Sequence, residues 1–218
     1  MIPEWSEAIA RSLLLCLKQR DPYSYGHSLR VAYHARFLAE AAGLNEYQQL
    51  VIEFASLFHD LGKIGISDKI LLKPGKLTED EEEIMREHPA KSAELLTPLD
   101  HIPFFRSTLP GVKHHHERMD GKGYPDGIHG ENIPLSARII LIADTYDAMT
   151  TTRPYRTRLQ DAVAYAELKR FAGVQFDEHL VDIFVHTHPA WSIEVASNAP
   201  YEELIEPFRI GKRLKKTA

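Results

Sequence analysis

The stretch Val51-Ile52-Glu53-Phe54-Ala55-Ser56-Leu57-Phe58-His59-Asp60-Leu61-Gly62-Lys63 decides how this chain is read. An apolar helical run ends in an imidazole, a carboxylate and an ammonium group set within one turn, held against a buried wall. Borderline metal ions accept imidazole nitrogen and carboxylate oxygen together. A buried carboxylate beside a histidine is costly unless a cation compensates it. Lys63 or a metal ion would serve, and the stretch alone leaves both readings open.

The rest of the composition narrows the setting. With 218 residues, 44% hydrophobic and 26% charged, the chain reads as a globular domain, or one domain with a small appendage. A net charge of −5 argues against a grip on polyanionic duplexes, so no nucleic-acid polymer is expected as partner and any nucleotide handled is small. The single cysteine, Cys16, excludes intrachain disulfides and thiolate zinc clusters, which suits a reducing compartment. The longest apolar runs, such as Leu13-Leu14-Leu15-Cys16-Leu17, are too short to span a bilayer, and no signal-peptide pattern opens the chain. A cytoplasmic protein with no membrane partner is therefore expected. The outlying count is histidine, at 12.

The hydrophobic periodicity is helical nearly throughout, and an all-α class follows. Helices are expected from Pro3 to about Arg20, from about Ser24 to Ala42, and from the Asn45/Gln48 capping box into His59-Asp60. A Gly- and Pro-punctuated loop follows to Lys76, with a short helical turn at Asp68 to Leu71. Thr78 and Glu81 cap a helix through the acidic run to His88, and Pro89 restarts it toward Leu96. A shorter helix ends at His114 to Glu117, and Asp120 to Pro134 reads as a loop. Further helices are expected from Ser136 to Thr151, Leu159 to Phe171 and Asp177 to His186. The division expected is an N-terminal packing or signalling helix (1–20), a catalytic domain (21–188) and a C-terminal extension (189–218).

His27, His59-Asp60, His88, His115-His116 and Asp144 fall at successive helix ends, and helical bundles build metal sites by pointing such residues inward. One of His114, His115 and His116 is surplus, and periodicity does not say which. His34 lies two turns beyond His27, roughly 10 Å along the axis, too far to share its metal, and reads as a packed core residue. His101, His129, His179, His186 and His188 read as structural too. Asp120-Gly121-Lys122-Gly123 is not a calcium loop, because Lys122 and Tyr124 stand where oxygen ligands are needed. Gly62-Lys63 and Gly121-Lys122 lack the spacing of phosphate loops.

These segments carry a resemblance. His27-Ser28-Leu29-Arg30-Val31, His59-Asp60-Leu61-Gly62-Lys63-Ile64-Gly65, Leu72-Lys73-Pro74-Gly75-Lys76, His88-Pro89, His115-His116-Glu117 with Asp120-Gly121-Lys122-Gly123-Tyr124-Pro125, Ala143-Asp144-Thr145-Tyr146-Asp147 and Arg153-Pro154-Tyr155-Arg156 stand in the order of the HD-GYP family. This is the branch of the HD phosphohydrolases associated with cyclic di-GMP. The chain resembles it from about Asp21 to Phe184.

The resemblance implies an HD-domain helical bundle with a dinuclear metal site. His27, His59, Asp60 and Asp144 correspond to the ligands of one ion, and Asp60, His88, His115 and His116 to those of a second, with Asp60 bridging and His114 surplus. Tyr23 stands where some members carry a carboxylate for a third ion, so two divalent ions, iron or manganese, are expected. The implied activity is hydrolysis of cyclic di-GMP to the linear dinucleotide pGpG, and onward to GMP, by a metal-bridging hydroxide. Lys63 would offset charge on the phosphoryl oxygens. Arg153 and Arg156 suit the second phosphate, and Tyr124 and Asp147 would meet the substrate. Two other readings are a catalytically weak cyclic di-GMP sensor or protein-interaction module, and a phosphohydrolase of another cyclic dinucleotide. Partner proteins such as a diguanylate cyclase or adaptors docking on the Gly-Tyr-Pro loop, and a homodimer, are compatible with the family.

Overall fold

Among the described residues of this computed structural model, 5–152 and 157–195, ten α-helices and no strand are found. They are α1 (Ser6–Arg20), α2 (Pro22–Ala41), α3 (Glu46–Phe58), α4 (Asp68–Leu71) and α5 (Glu79–Met85), then α6 (His88–Leu96), α7 (Pro103–His114), α8 (Leu135–Thr150), α9 (Asp161–Arg170) and α10 (Glu178–Val195). A 3-10 turn at Leu61–Gly65 follows α3.

Three helices form the interior. α2 packs against α1, α3, α8 and α10, and buries residues on most of its circumference. The second half of α3 is buried from Val51 to Phe58 without a break, and α8 is buried from Ile139 to Ala143. A helix that is apolar nearly all round belongs inside a bundle, as the second half of α3 and the middle of α8 do; α2 also buries Ser24, His27, Ser28 and His34. Phe54, Phe58, Phe104, Phe105 and Phe184 fill the space between the elements. On α1, Ala10, Leu14 and Leu17 enter the same core, with Ile9 and Leu13 packed at its edge.

The capping signals act as expected at α3 and α5, where Asn45 with Gln48 and Thr78 with Glu81 satisfy the free amides reciprocally. Of the helix bounds that differ from expectation, two have a direct structural cause, while α5 stops at Met85 and α9 starts at Asp161. α2 begins at Pro22 rather than near Ser24, because Asp21 caps it: its carboxylate accepts from the Tyr23 amide at 3.0 Å and the Ser24 hydroxyl at 2.6 Å. α10 runs on past His186 and through Pro189 to Val195. An internal proline removes one helical hydrogen bond. Burial of Trp191 against Phe37 and Phe184, and of His188 against Tyr165, offsets that loss. Of the expected C-terminal extension, residues 189–195 thus continue α10, and 196–218 lie outside the described residues.

Candidate metal centre

The centre is assembled where helices end. His27 sits in the second turn of α2, His59 closes α3 with Asp60 just beyond, His88 opens α6, His115 closes α7 with His116 after it, and Asp144 lies within α8. One glycine makes the central contact sterically feasible. A Cβ on Gly62 would lie 2.2 Å from the His88 carbonyl oxygen and 2.5 Å from the Ser92 amide nitrogen. Ser92 then fastens the turn: its hydroxyl donates to the His59 carbonyl and accepts from the Gly62 amide, both at 2.7 Å. Asp60 is thereby held against the start of α6.

Asp60 faces two groups of ligands with different oxygens. Its Oδ1 lies 3.3 Å from His88 Nε2, while its Oδ2 lies 3.6 Å from His59 Nε2 and 3.8 Å from His27 Nε2. Around it are the trios His27, His59, Asp144 and His88, His115, His116, with His59, Asp60 and His115 as a third grouping between them. In each group the ligand atoms lie within 4.8 Å of one another. His27 Nε2 is 3.0 Å from Asp144 Oδ1, and His88 Nε2 is 3.3 Å from His115 Nε2.

The protons show what this geometry requires. His59, His88 and His115 each direct Nδ1 at the carbonyl three residues earlier, Ser56 at 2.6 Å, Met85 at 2.8 Å and Val112 at 2.8 Å. A carbonyl only accepts, so each Nδ1 carries the proton. Burial keeps all three rings neutral: the pKa of His88 falls to about 3, and those of His59 and His115 also fall below the ordinary value. Nε2 is therefore a bare lone pair on every one of them. His59 Nε2 is buried with no hydrogen-bond partner, and the Nε2 lone pairs of His88 and His115 confront each other. Neighbouring buried lone pairs are mutually repulsive unless a cation lies between them. The imidazole and carboxylate donors suit a borderline divalent metal, so the residues present fit the implied ions.

His27 is held differently. Its Nδ1 lies 2.6 Å from Asp147 Oδ2, and Arg30 forks onto the same carboxylate at 2.6 Å and 3.0 Å. Burial opposes protonation of His27, but the hydrogen bonds to Asp144 and Asp147 outweigh it and lift the pKa to about 9. Burial likewise opposes ionisation of Asp60, yet the Lys63 ammonium above all, with the protonated His27, holds it well below the usual carboxylate range.

Lys63, expected to face phosphate, places Nζ 2.6 Å from Asp60 Oδ2. Asp147, expected to meet substrate, is 1% exposed and has its oxygens bonded to His27, Arg30 and the Thr151 hydroxyl, so it is enclosed behind His27. Tyr124 stacks on His116, ring centroids 4.7 Å apart. His114 turns away toward Asp126, at 3.0 Å. Asp21 is engaged as the α2 cap and belongs to none of the three ligand groups. Arg153 and Arg156 lie outside the described residues. Three contributors went unread in the sequence: Arg30, Ser92, and Glu117, whose Oε1 accepts from the Asp126 and Gly127 amides and closes the Gly-Tyr-Pro loop. Arg30 stands one helical turn after His27, a spacing that could have flagged it.

Comparison with known proteins places the chain among HD domains. A family model described as HD domain matches residues 12–180. The chain is 42% identical over 176 residues to the cyclic di-GMP phosphodiesterase response regulator RpfG of Xanthomonas campestris, covering 81% of this chain and 46% of that protein. It is 37% identical over 153 residues to the 3'3'-cGAMP-specific phosphodiesterase 3 of Vibrio cholerae, covering 70% of this chain and 33% of that protein. The chain thus spans half or less of the length of these curated relatives. Among solved structures, the HD domain of the L. monocytogenes phosphodiesterase PgpH in complex with cyclic-di-AMP superposes with a TM-score of 0.62 at 20% identity, over 86% of this chain and 98% of that one. That likeness shows a shared fold.

Proposed function

The chain belongs to the HD domain family, and from that premise we propose that it is a metal-dependent phosphodiesterase that opens cyclic di-GMP to the linear dinucleotide pGpG. The observation that carries the reading is the set of buried, proton-free Nε2 atoms of His59, His88 and His115 gathered around Asp60. His27, His59, Asp60 and Asp144 would hold one divalent ion, and Asp60, His88, His115 and His116 a second. Bound there, such ions supply Lewis acidity toward a phosphodiester oxygen and lower the pKa of water toward neutrality.

The protein's own groups do the remaining work. Carbonyl-bound Nδ1 atoms lock three imidazoles with Nε2 inward, so no ring reorients on binding. Among the described residues, Lys63, already on Asp60, is the cation best placed to offset charge that develops on the phosphoryl oxygens. Arg153 and Arg156 are proposed for the second phosphate, through bidentate guanidinium contacts. Iron or manganese suits the mixed donor set.

The test uses anaerobically purified protein supplied with Mn²⁺ or Fe²⁺, with cyclic di-GMP turnover followed by chromatography. Formation of pGpG is expected. Binding of cyclic di-GMP by the metal-loaded protein without any linear product would replace this reading with that of a sensor. A second reading, hydrolysis of 3'3'-cGAMP, is favoured by the similarity to the Vibrio cholerae enzyme. The same assay decides it by competition between the two cyclic dinucleotides.

A further inference from the structure

The ligand histidines are braced in different ways, and His116 is the exception. His59, His88 and His115 are each fixed by a backbone carbonyl, and His27 by Asp147. No hydrogen bond to the His116 ring is found among the described residues. What touches it is aromatic: His115 at 4.2 Å, His88 at 5.1 Å and, nearly parallel at 24°, Tyr124 at 4.7 Å. His115 and His88 are fellow members of its trio, so Tyr124 is the one flat partner from outside.

The loop that carries Tyr124 is built to press it there. A Cβ on Gly123 would lie 2.5 Å from the His116 carbonyl oxygen, the Glu117 Cα and the Arg118 amide nitrogen, so only glycine lets the loop lie directly behind the ligand. The Tyr124 amide donates to the His116 carbonyl at 3.3 Å. Glu117 ties down the return of the loop through the Asp126 and Gly127 amides at 2.7 Å and 3.0 Å. Arg118 forks onto Asp120 at 3.0 Å and 2.8 Å on the way out. From just past the end of α5, the Arg86 guanidinium lies over the Tyr124 ring, 5.4 Å from its centroid.

We infer that Tyr124 is a positioning residue for His116: the Gly-Tyr-Pro loop acts as a stacking clamp on the His88, His115, His116 half of the metal centre. The ring face is the working part, because it replaces the hydrogen bond that every other ligand histidine has. Outer partners of this kind typically change metal affinity by about 10- to 100-fold when removed. Anything that lifts the loop off the chain behind His116 would therefore weaken one metal half and leave the other.

This rests on the two-metal reading, and the experiment separates the two. Metal-free wild-type protein and the variants Tyr124→Phe, Tyr124→Leu and His116→Ala are titrated with Mn²⁺ by calorimetry. Wild type is expected to show two binding events and Tyr124→Phe to match it within about twofold, because the ring is kept. Tyr124→Leu should weaken one event by about 10- to 100-fold, the same event that His116→Ala removes, and spare the other. Unchanged binding in Tyr124→Leu, equal weakening of both events, or a loss in Tyr124→Phe as large as in Tyr124→Leu would overturn the clamp. Fewer than two events in wild type would instead overturn the two-metal reading itself. Should Tyr124→Leu fail to fold, Gly123→Ala displaces the loop by backbone contact and is expected to weaken the same event; unchanged binding there would overturn the clamp equally.

Discussion

Two histidine clusters are buried in this bundle, and they differ in how their protons are shared. His34 on α2 and His188 on α10 lie 3.1 Å apart between Nδ1 and Nε2, and the Tyr165 hydroxyl meets His188 Nδ1 at 2.7 Å. Burial lowers His34 to about 3 and His188 to about 4, so both rings are neutral. One proton per contact satisfies that chain: Tyr165 donates to His188, and His188 donates to His34. No ligand is needed. At the metal centre the carbonyls of Ser56, Met85 and Val112 take the protons outward, and bare nitrogens are left facing one another and Asp60. Both places are buried, although one holds a pair of histidines and the other five. The direction of the donors separates a packed core from a ligand site.

The largest expected effect breaks the centre outright. Asp60 is the group whose two oxygens face both trios, so Asp60→Ala should take metal content from about two ions per chain to near zero and abolish turnover. Elemental analysis with the chromatographic assay checks this, and a variant that kept either ion and its turnover would refute the bridging role. Asp147→Asn tests a subtler point. It removes the charge that holds His27 and receives Arg30, and should weaken one Mn²⁺ binding event by about 10- to 100-fold, the event that His27→Ala removes. If Asp147 touched only substrate, as its position in the sequence suggests, KM would rise with metal binding unchanged.

The third expectation concerns the metal-free protein and joins the clusters. His34, His88, His116 and His188 have folded-state pKa values of about 3 to 4, below the unfolded 6.5. As pH drops below about 6.5 the unfolded chain gains protons that the folded one resists, so stability falls. His27 has the opposite sign: raised to about 9, its stabilisation is complete below 6.5 and is lost as pH rises through 9. Melting temperature should peak between about pH 6.5 and 9 and fall on both sides. His34→Phe should soften the acid limb between about pH 6.5 and 5, and Asp147→Asn the alkaline limb above about pH 6.5. A flat profile from pH 5 to 8 would contradict the neutral burial of these rings.

Much of this was legible beforehand, for local reasons. Capping boxes are short-range signals, and Asn45 and Thr78 act as read. The apolar runs of α3 and α8 announce interior helices. What escaped reading depends on contacts between distant segments. Ser92 and Gly62 matter because they meet 30 residues apart, and Arg30 because Asp147 lies opposite it, 117 residues away. The run of α10 beyond His186 escaped too, since nothing local shows that Trp191 has a pocket there.

The amino-acid order determined the helical class and the set of ligand-type residues, because periodicity, caps and residue chemistry are properties of neighbours along the chain. Which atom of each residue faces inward was left to tertiary structure. Packing set Asp147 against His27 and Arg30, set Lys63 on Asp60, and laid Tyr124 flat on His116. The reason is physical: a proton's position on an imidazole is set by whichever acceptor the fold brings beside it.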